Sequence, residues 1–276
     1  MKRILKKVLL AFLIVCPTTG LLFSESEDKK AVVLEYDGRL VGAYQPGKGW
    51  LKESQAKDLI NPKEDCFVYS ISEGIGQTIR GELMEPDIDG GLILNVTKYV
   101  DDKDFKREPS YWNPYPRKEI RISPKSQTYQ KIAAKRIKKK GVKLKKARLT
   151  SGYRIDLDGN GTEEVVLTGA TRNRIFSAVE PHKAGDYSFV LFRYINKKGK
   201  VETQDVELQA FTKEPDPKKG ALHNISEFKI AEFIDINGDG KVEVILSQVV
   251  WEGWGVTIFE FSGEKLLPVL SKGWGH

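Results

Sequence analysis

The chain has 276 residues, 40% of them hydrophobic and 30% charged, and a formal net charge of +7. This much apolar content supports a globular core in one large or two modest domains and excludes a disordered chain. Two cysteines exclude a disulfide scaffold, and the three histidines, His182, His223 and His276, have no zinc-ligand spacing.

The first residues carry an address. Lys2, Arg3, Lys6 and Lys7 precede the apolar run Val8 to Val15, which Pro17-Thr18-Thr19-Gly20 breaks. This is the layout of a secretory signal peptide, with cleavage expected after Gly20 or Ser24. Residues 1–24 are read as that signal, and the mature protein as secreted or periplasmic. Leu13-Ile14-Val15-Cys16 resembles a lipobox, although Val15 is larger than the usual residue there, so lipid anchoring through Cys16 is the alternative. Nothing beyond the signal is long and apolar enough to span a membrane. With the signal removed, Cys66 is the only cysteine, and its strand-like surroundings predict a buried, inert thiol.

Residues 25–118 read as an N-terminal β-rich domain. Ala31 to Leu34 and Arg39 to Ala43 flank Tyr36-Asp37-Gly38 as a hairpin. Lys52 to Ile60 predicts a short helix ended by Asn61-Pro62. Cys66 to Ile71, Gln77 to Leu83 and Leu92 to Val96 predict strands. Asp87-Ile88-Asp89-Gly90-Gly91 reads as a turn. Residues 101–118 are charged and then rich in Pro and aromatics, as a linker or packing arm would be.

Residues 119–276 open with Ser123-Pro124 as an expected N-cap and first helical residue. Tyr129, Ile132, Ala133 and Ile137 follow at helical spacing, and Gly141 is a stop. The opposite face is basic, with Lys135, Arg136 and Lys139 among its residues. It reads as a solvated helix face. Its functional alternative is contact with an anionic glycan or envelope surface. Nucleic acid is not expected as a partner, since no reading motif is present.

Two stretches then match each other: Asp156-Leu157-Asp158-Gly159-Asn160-Gly161-Thr162-Glu163-Glu164 and Asp235-Ile236-Asn237-Gly238-Asp239-Gly240-Lys241-Val242-Glu243. Each sets oxygen side chains at positions 1, 3, 5 and 9 and Gly at 4 and 6. Ca²⁺ takes about six to eight such hard ligands. The expected sites are Asp156, Asp158, Asn160, Glu164 and the Thr162 carbonyl, and Asp235, Asn237, Asp239, Glu243 and the Lys241 carbonyl. Leu167 and Leu246 replace the Glu that an EF-hand needs at position 12, and β-branched runs replace its helices. Tyr187 to Ile195 with Lys200 to Leu208, and Gly255 to Phe261 with Lys265 to Leu270, read as hairpins. Each repeat is thus strand, loop, strand and hairpin. The expected class is mainly β with minor α (α+β): two blade-like four-stranded antiparallel sheets, preceded by a basic helix and the N-terminal β region.

The loops between strands resemble the integrin-type FG-GAP calcium repeat. From about Ser126 onward the chain is also similar to a group of secreted bacterial proteins of unknown function. The matching pieces are the Lys-rich helix, the two loops, Gly185-Asp186-Tyr187-Ser188 and Trp251-Glu252-Gly253. This resemblance implies bound Ca²⁺ and no particular activity.

No nucleophile elbow and no phosphate-binding Gly loop is present. Trp251 and Trp254 read as core, with a sugar-stacking platform as the alternative. The expectation is a non-catalytic, calcium-stabilised interaction module of the envelope or exterior. A secreted hydrolase acting on polysaccharide or peptidoglycan is the second hypothesis.

Overall fold

The computed structural model describes residues 31–84, 91–99, 113–171, 182–216, 225–250 and 253–275. The signal segment with Cys16, most of the turn at 87–91, the stretch 101–112 and Trp251 lie outside these residues. Strand takes 51% of the described residues and helix 10%, so sheets build the core and the class is mainly β with minor α. No helix among the described residues is long and apolar enough to cross a membrane.

The N-terminal strands are β1 (Val32–Tyr36), β2 (Arg39–Gln45), β3 (Gly49–Lys52), β4 (Cys66–Ser70), β5 (Ile75–Met84) and β6 (Ile93–Tyr99). Asp37 and Gly38 take φ of 54° and 75° between β1 and β2, the tight mirror-image turn that suits strand twist. Helix α1 (Glu53–Ala56) and a 3-10 turn over Lys57–Leu59 occupy the predicted helical stretch. The order β1-β4-β5-β6-β2 closes on itself through β1–β2 pairing, making a small barrel with β3 on its side. The β1–β4 pair is parallel, which alternation cannot foretell. Inward residues Val33, Leu40, Ala43, Val68 and Ile79 fill the barrel together with Ala56 and Ile60.

The first repeat forms a sheet from β7 (Ile120–Arg121), β8 (Ser151–Ile155), β9 (Glu164–Ala170), β10 (Tyr187–Ile195) and β11 (Val201–Ala210), ordered β11-β10-β9-β8-β7. The expected four strands are there, and two-residue β7 adds a fifth. The second repeat forms β12 (Glu227–Ile234), β13 (Glu243–Val250), β14 (Gly253–Phe261) and β15 (Leu266–Gly275), paired in sequence order.

The second sheet lies between the other two layers. Its residues Ile234, Ile245, Val256, Ile258, Leu270 and Trp274 pack against Val32, Leu34, Val41, Tyr69 and Ile71 on the outside of the barrel. Phe228, Phe233, Val244, Leu246 and Phe259 pack against Ile155, Val166, Val190 and Phe192 of the first sheet. Neighbouring residues of β13, Val244 and Ile245, thus enter opposite cores, as period-two side chains must. Burying a large apolar side chain is worth about 1.5–3 kcal/mol, so these two seams bind the layers together.

Helix α2 (Gln127–Lys139) covers the far face of the first sheet through Ala133, Ala134 and Ile137. It starts later than Ser123-Pro124 predicts. The Ser123 hydroxyl accepts the Lys125 amide, and the Ser126 amide bonds the Ser123 carbonyl at 2.9 Å, so those residues form a turn. Gly141, at φ 95°, ends the helix as expected.

Candidate metal centre

The two acidic loops join β8 to β9 and β12 to β13, antiparallel neighbours in each sheet. Each loop is tied by the same hydrogen bonds. The Asp at position 1 accepts the amides of positions 4 and 6: Gly159 and Gly161 bond Asp156 at 2.8 and 2.9 Å, and Gly238 and Gly240 bond Asp235 at 2.7 and 2.9 Å. Position 3 accepts the position 5 amide, with Asn160 on Asp158 at 3.3 Å and Asp239 on Asn237 at 2.9 Å. Position 5 accepts the position 7 amide, with Thr162 on Asn160 at 2.7 Å and Lys241 on Asp239 at 2.8 Å. The Glu at position 9 accepts the position 2 amide, with Leu157 on Glu164 at 3.0 Å and Ile236 on Glu243 at 2.7 Å. Positions 4 and 6 hold φ between 69° and 83° in both loops, a conformation that favours glycine.

These bonds draw the carboxylates inward. One oxygen each from Asp156, Asp158 and Glu164 lie within 4.8 Å of one another. Calcium–oxygen distances of about 2.3–2.6 Å put ligands on opposite sides of the ion about 5 Å apart, so the first loop fits the ion. The charges strain the loop otherwise. Two like charges about 4 Å apart repel by roughly 4 kcal/mol at an effective dielectric near 20. Burial pushes the Glu164 carboxyl up to about 7, the Leu157 amide partly opposes this, and Asp158 and Asp156 add to the rise.

The second loop repeats the frame with different charge. Asn237 takes position 3, and its amide nitrogen donates to Glu243 at 3.3 Å and to Glu260 at 3.3 Å. Lys241 stands 3.7 Å from Asp239. Burial holds Glu243 well above the usual carboxylate range, against the Ile236 amide. It also raises Asp235, against the Gly240 and Gly238 amides. Among the described residues, the carboxylate triple that converges as in the first loop is the first loop's own. An amide and an ammonium do in the second loop part of what a cation would do.

Three residues unforeseen from sequence belong to this centre. Arg117 lies beside both loops: its Nη2 donates to the Leu157 carbonyl at 3.2 Å and to the Gly240 carbonyl. Glu260, from β14, accepts from Asn237 and from the Trp50 indole at 2.7 Å, which ties the second loop to the barrel. Their separations of 23 to 210 residues leave no local signal. The described end of the stretch read as a linker or packing arm makes packing contacts: the Asp235 amide donates to the Pro114 carbonyl at 2.8 Å, and the Tyr115 and Tyr69 hydroxyls meet at 2.8 Å.

The expected partner residues are scattered. Lys135 and Lys139 are exposed on α2. Arg136 is half-buried in a two-pronged pair with Asp205 at 2.6 and 2.7 Å, so its guanidinium is engaged within the fold. Trp254 is half-buried, with the Arg39 guanidinium 4.9 Å from its ring centre and Trp274 tilted against it at 6.4 Å. Gly185-Asp186-Tyr187-Ser188 is structural: Asp186 accepts the Lys183 amide at 2.7 Å and the Tyr187 hydroxyl accepts the Arg148 amide at 2.7 Å. Cys66 is half-buried, and burial raises its thiol above the usual range. No protein family, curated protein or solved structure matches this chain.

Proposed function

We propose that the protein is a non-catalytic, calcium-stabilised β module of the cell envelope or exterior, and that each acidic loop binds one Ca²⁺. The observation that carries this reading is the convergence of Asp156, Asp158 and Glu164 within 4.8 Å on a loop already closed by its own amides. Such a frame is built before the ion arrives, so binding costs little ordering. Asp156, Asp158, Asn160, Glu164 and the Thr162 carbonyl would hold the first ion. Asp235, Asn237, Asp239, Glu243 and the Lys241 carbonyl would hold the second, more weakly, because the converging carboxylate triple is the first loop's and the Lys241 ammonium stands beside Asp239. A bound cation neutralises crowded carboxylates and pins a turn between two core strands, which is a structural role. Sites of this extracellular kind bind at about 10⁻⁴–10⁻³ M. Export through residues 1–24 places the protein where free calcium reaches that range. The partner in this reading is an anionic glycan or envelope surface met by exposed Lys135 and Lys139, or a protein.

Calorimetric titration with calcium and melting curves in calcium and in EGTA test the reading. Binding in the millimolar range or tighter, with a higher melting temperature in calcium, is expected. No heat at millimolar calcium together with an unmoved melting curve overturns it. Metal-independent turnover in a glycan-release screen overturns the non-catalytic part and favours the hydrolase.

A further inference from the structure

The barrel has an open end far in function from the calcium loops. There β1 runs into the Asp37–Gly38 turn and β4 into the turn at 71–74. A cavity of about 260 Å³ lies between them, lined from β1, β4, β5, β6 and both turns. Its apolar wall is Val68, Ile79, Leu94 and Val96, which also belong to or pack on the barrel core. Its charged wall is Glu35, Asp37 and Glu73, and no cationic side chain among the described residues lines it, in a chain whose net charge is +7. Mouths of β-barrels are recurrent small-ligand sites.

The wall chemistry narrows the occupant. Glu35 points inward from β1 and is only 8% exposed, with the Gly38 amide at 2.6 Å and the Ser70 hydroxyl as its hydrogen-bond donors and no cation beside it among the described residues. A buried carboxylate is costly unless something positive or hydrogen-bonding meets it. Arg39 reaches Asp37 on the outside at 3.9 Å, while Glu35 and Glu73 face the cavity. A metal ion is a poor fit: no converging oxygen triple is found here among the described residues, and much of the lining is aliphatic. An anion is excluded by charge. Drug-sized ligands occupy about 300–1,000 Å³, so a smaller molecule suits this volume. Tyr99, 60% exposed at the rim, offers an aromatic face to a cation.

We propose that the barrel mouth binds a small free alkylammonium, its charged head against Glu35 and Glu73 and its stem against Val68, Ile79, Leu94 and Val96. This site does not depend on the calcium loops. It gives the stabilised scaffold a ligand of its own. The raised Glu35 carboxyl, lifted mainly by burial and also by Glu73 and Asp37, agrees with a site that lacks its counter-charge.

The test uses the full chain at fixed millimolar calcium, with n-butylammonium as probe and 1-butanol and ammonium chloride as controls. Methyl NMR spectra report on Val68, Ile79, Leu94 and Val96. The expected result is saturable shifts confined to those methyls, with butylammonium at least tenfold tighter than either control. Glu35→Gln and Glu73→Gln should each weaken binding about tenfold. Glu73 is exposed on a turn, so its variant tests the idea even where Glu35→Gln disturbs folding. Equal binding of 1-butanol, unsaturating shifts, or unchanged affinity in Glu73→Gln overturns the proposal. Equal binding of acetyl-lysine amide overturns the free-amine assignment in favour of a partner's side chain.

Discussion

The Val242 amide donates to the Leu157 carbonyl at 2.8 Å, so the two acidic loops are hydrogen-bonded to each other. Arg117 reinforces the link by reaching the Leu157 carbonyl and the Gly240 carbonyl with one nitrogen. Calcium at one loop should therefore be felt at the other. Asp156→Ala is expected to remove binding at the first loop and also to weaken the second by roughly fivefold to tenfold, at the low end of typical coupling energies. Titration calorimetry of this variant beside Asp235→Ala measures it. A second-loop affinity identical to wild type would show that the two loops act alone.

Asp158→Asn separates charge from scaffold. Asp156 holds three amides, those of Gly159, Asn160 and Gly161, so Asp156→Ala should lose about 1–3 kcal/mol even in EGTA. Asp158 holds the Asn160 amide alone at 3.3 Å, and asparagine retains that acceptor. In EGTA, Asp158→Asn should melt at or slightly above wild type, since it relieves Glu164. In calcium it should lose about 1.4 kcal/mol of the increment, the equivalent of tenfold weaker binding. At about 100 times Kd the wild-type increment per site is roughly 2.7 kcal/mol. Urea melts of both variants with and without EGTA give all four values.

Arg117→Ala should destabilise the protein by about 1.5–3 kcal/mol, the usual worth of hydrogen bonds from a charged donor. Arg117→Lys should recover only part of this, because the lysine stem ends one bond short of the Nη2 that reaches both carbonyls. If Arg117→Ala melts with wild type in EGTA, the guanidinium does not hold the loops.

The loops show how much a sequence can reveal. Both were legible to the residue because the spacing of Asp, Asn, Gly and Glu encodes a local hydrogen-bond frame. The four expected strands of each repeat were legible too, since Val165 to Leu167 and Val244 to Leu246 read as β at any depth, whereas two-residue β7 was not. What tied these pieces together was not. The β2–β6 link of the barrel rests on the pairing of Arg39 with Ile93, 54 positions apart, and no local pattern marks it. Likewise Glu260 reads as an unremarkable strand residue and Trp50 lies in no predicted element, and only the fold brings Glu260 to Asn237 and Trp50 to Glu260. Asn237 itself was read as a ligand, whereas its amide also serves as an internal counter-group to Glu243.

In EGTA the protein should be more stable somewhat below neutral pH than at pH 8. Glu35 is raised from its ordinary 4.5 chiefly by burial, opposed by Ser70 and the Gly38 amide. Glu232 is raised chiefly by burial, opposed by the Phe233 amide and Tyr69. A carboxyl whose folded value lies above its unfolded value keeps the native state protonated longer. Its contribution is intact below about 4.5 and is lost as pH climbs through the folded value. Glu35→Gln should therefore gain on wild type as pH rises from 4.5. Urea midpoints of the two proteins at several pH values check the sign, and a variant that loses ground to wild type as pH rises contradicts it.

The layer between the barrel and the first sheet is built from residues 227–275, which follow both of its neighbours in chain order. On a ribosome or at an export channel, those neighbours emerge first, each with an uncovered apolar surface: Val32, Leu34 and Val41 on one, Val166, Val190 and Phe192 on the other. Chains usually fold from the leading end as they are made, at about 5–20 residues per second. Here the leading parts wait several seconds for the wedge that fills the gap. A chain cut short before β12 would retain two sticky half-sandwiches, a natural target for chaperones and proteases that watch for unfinished work.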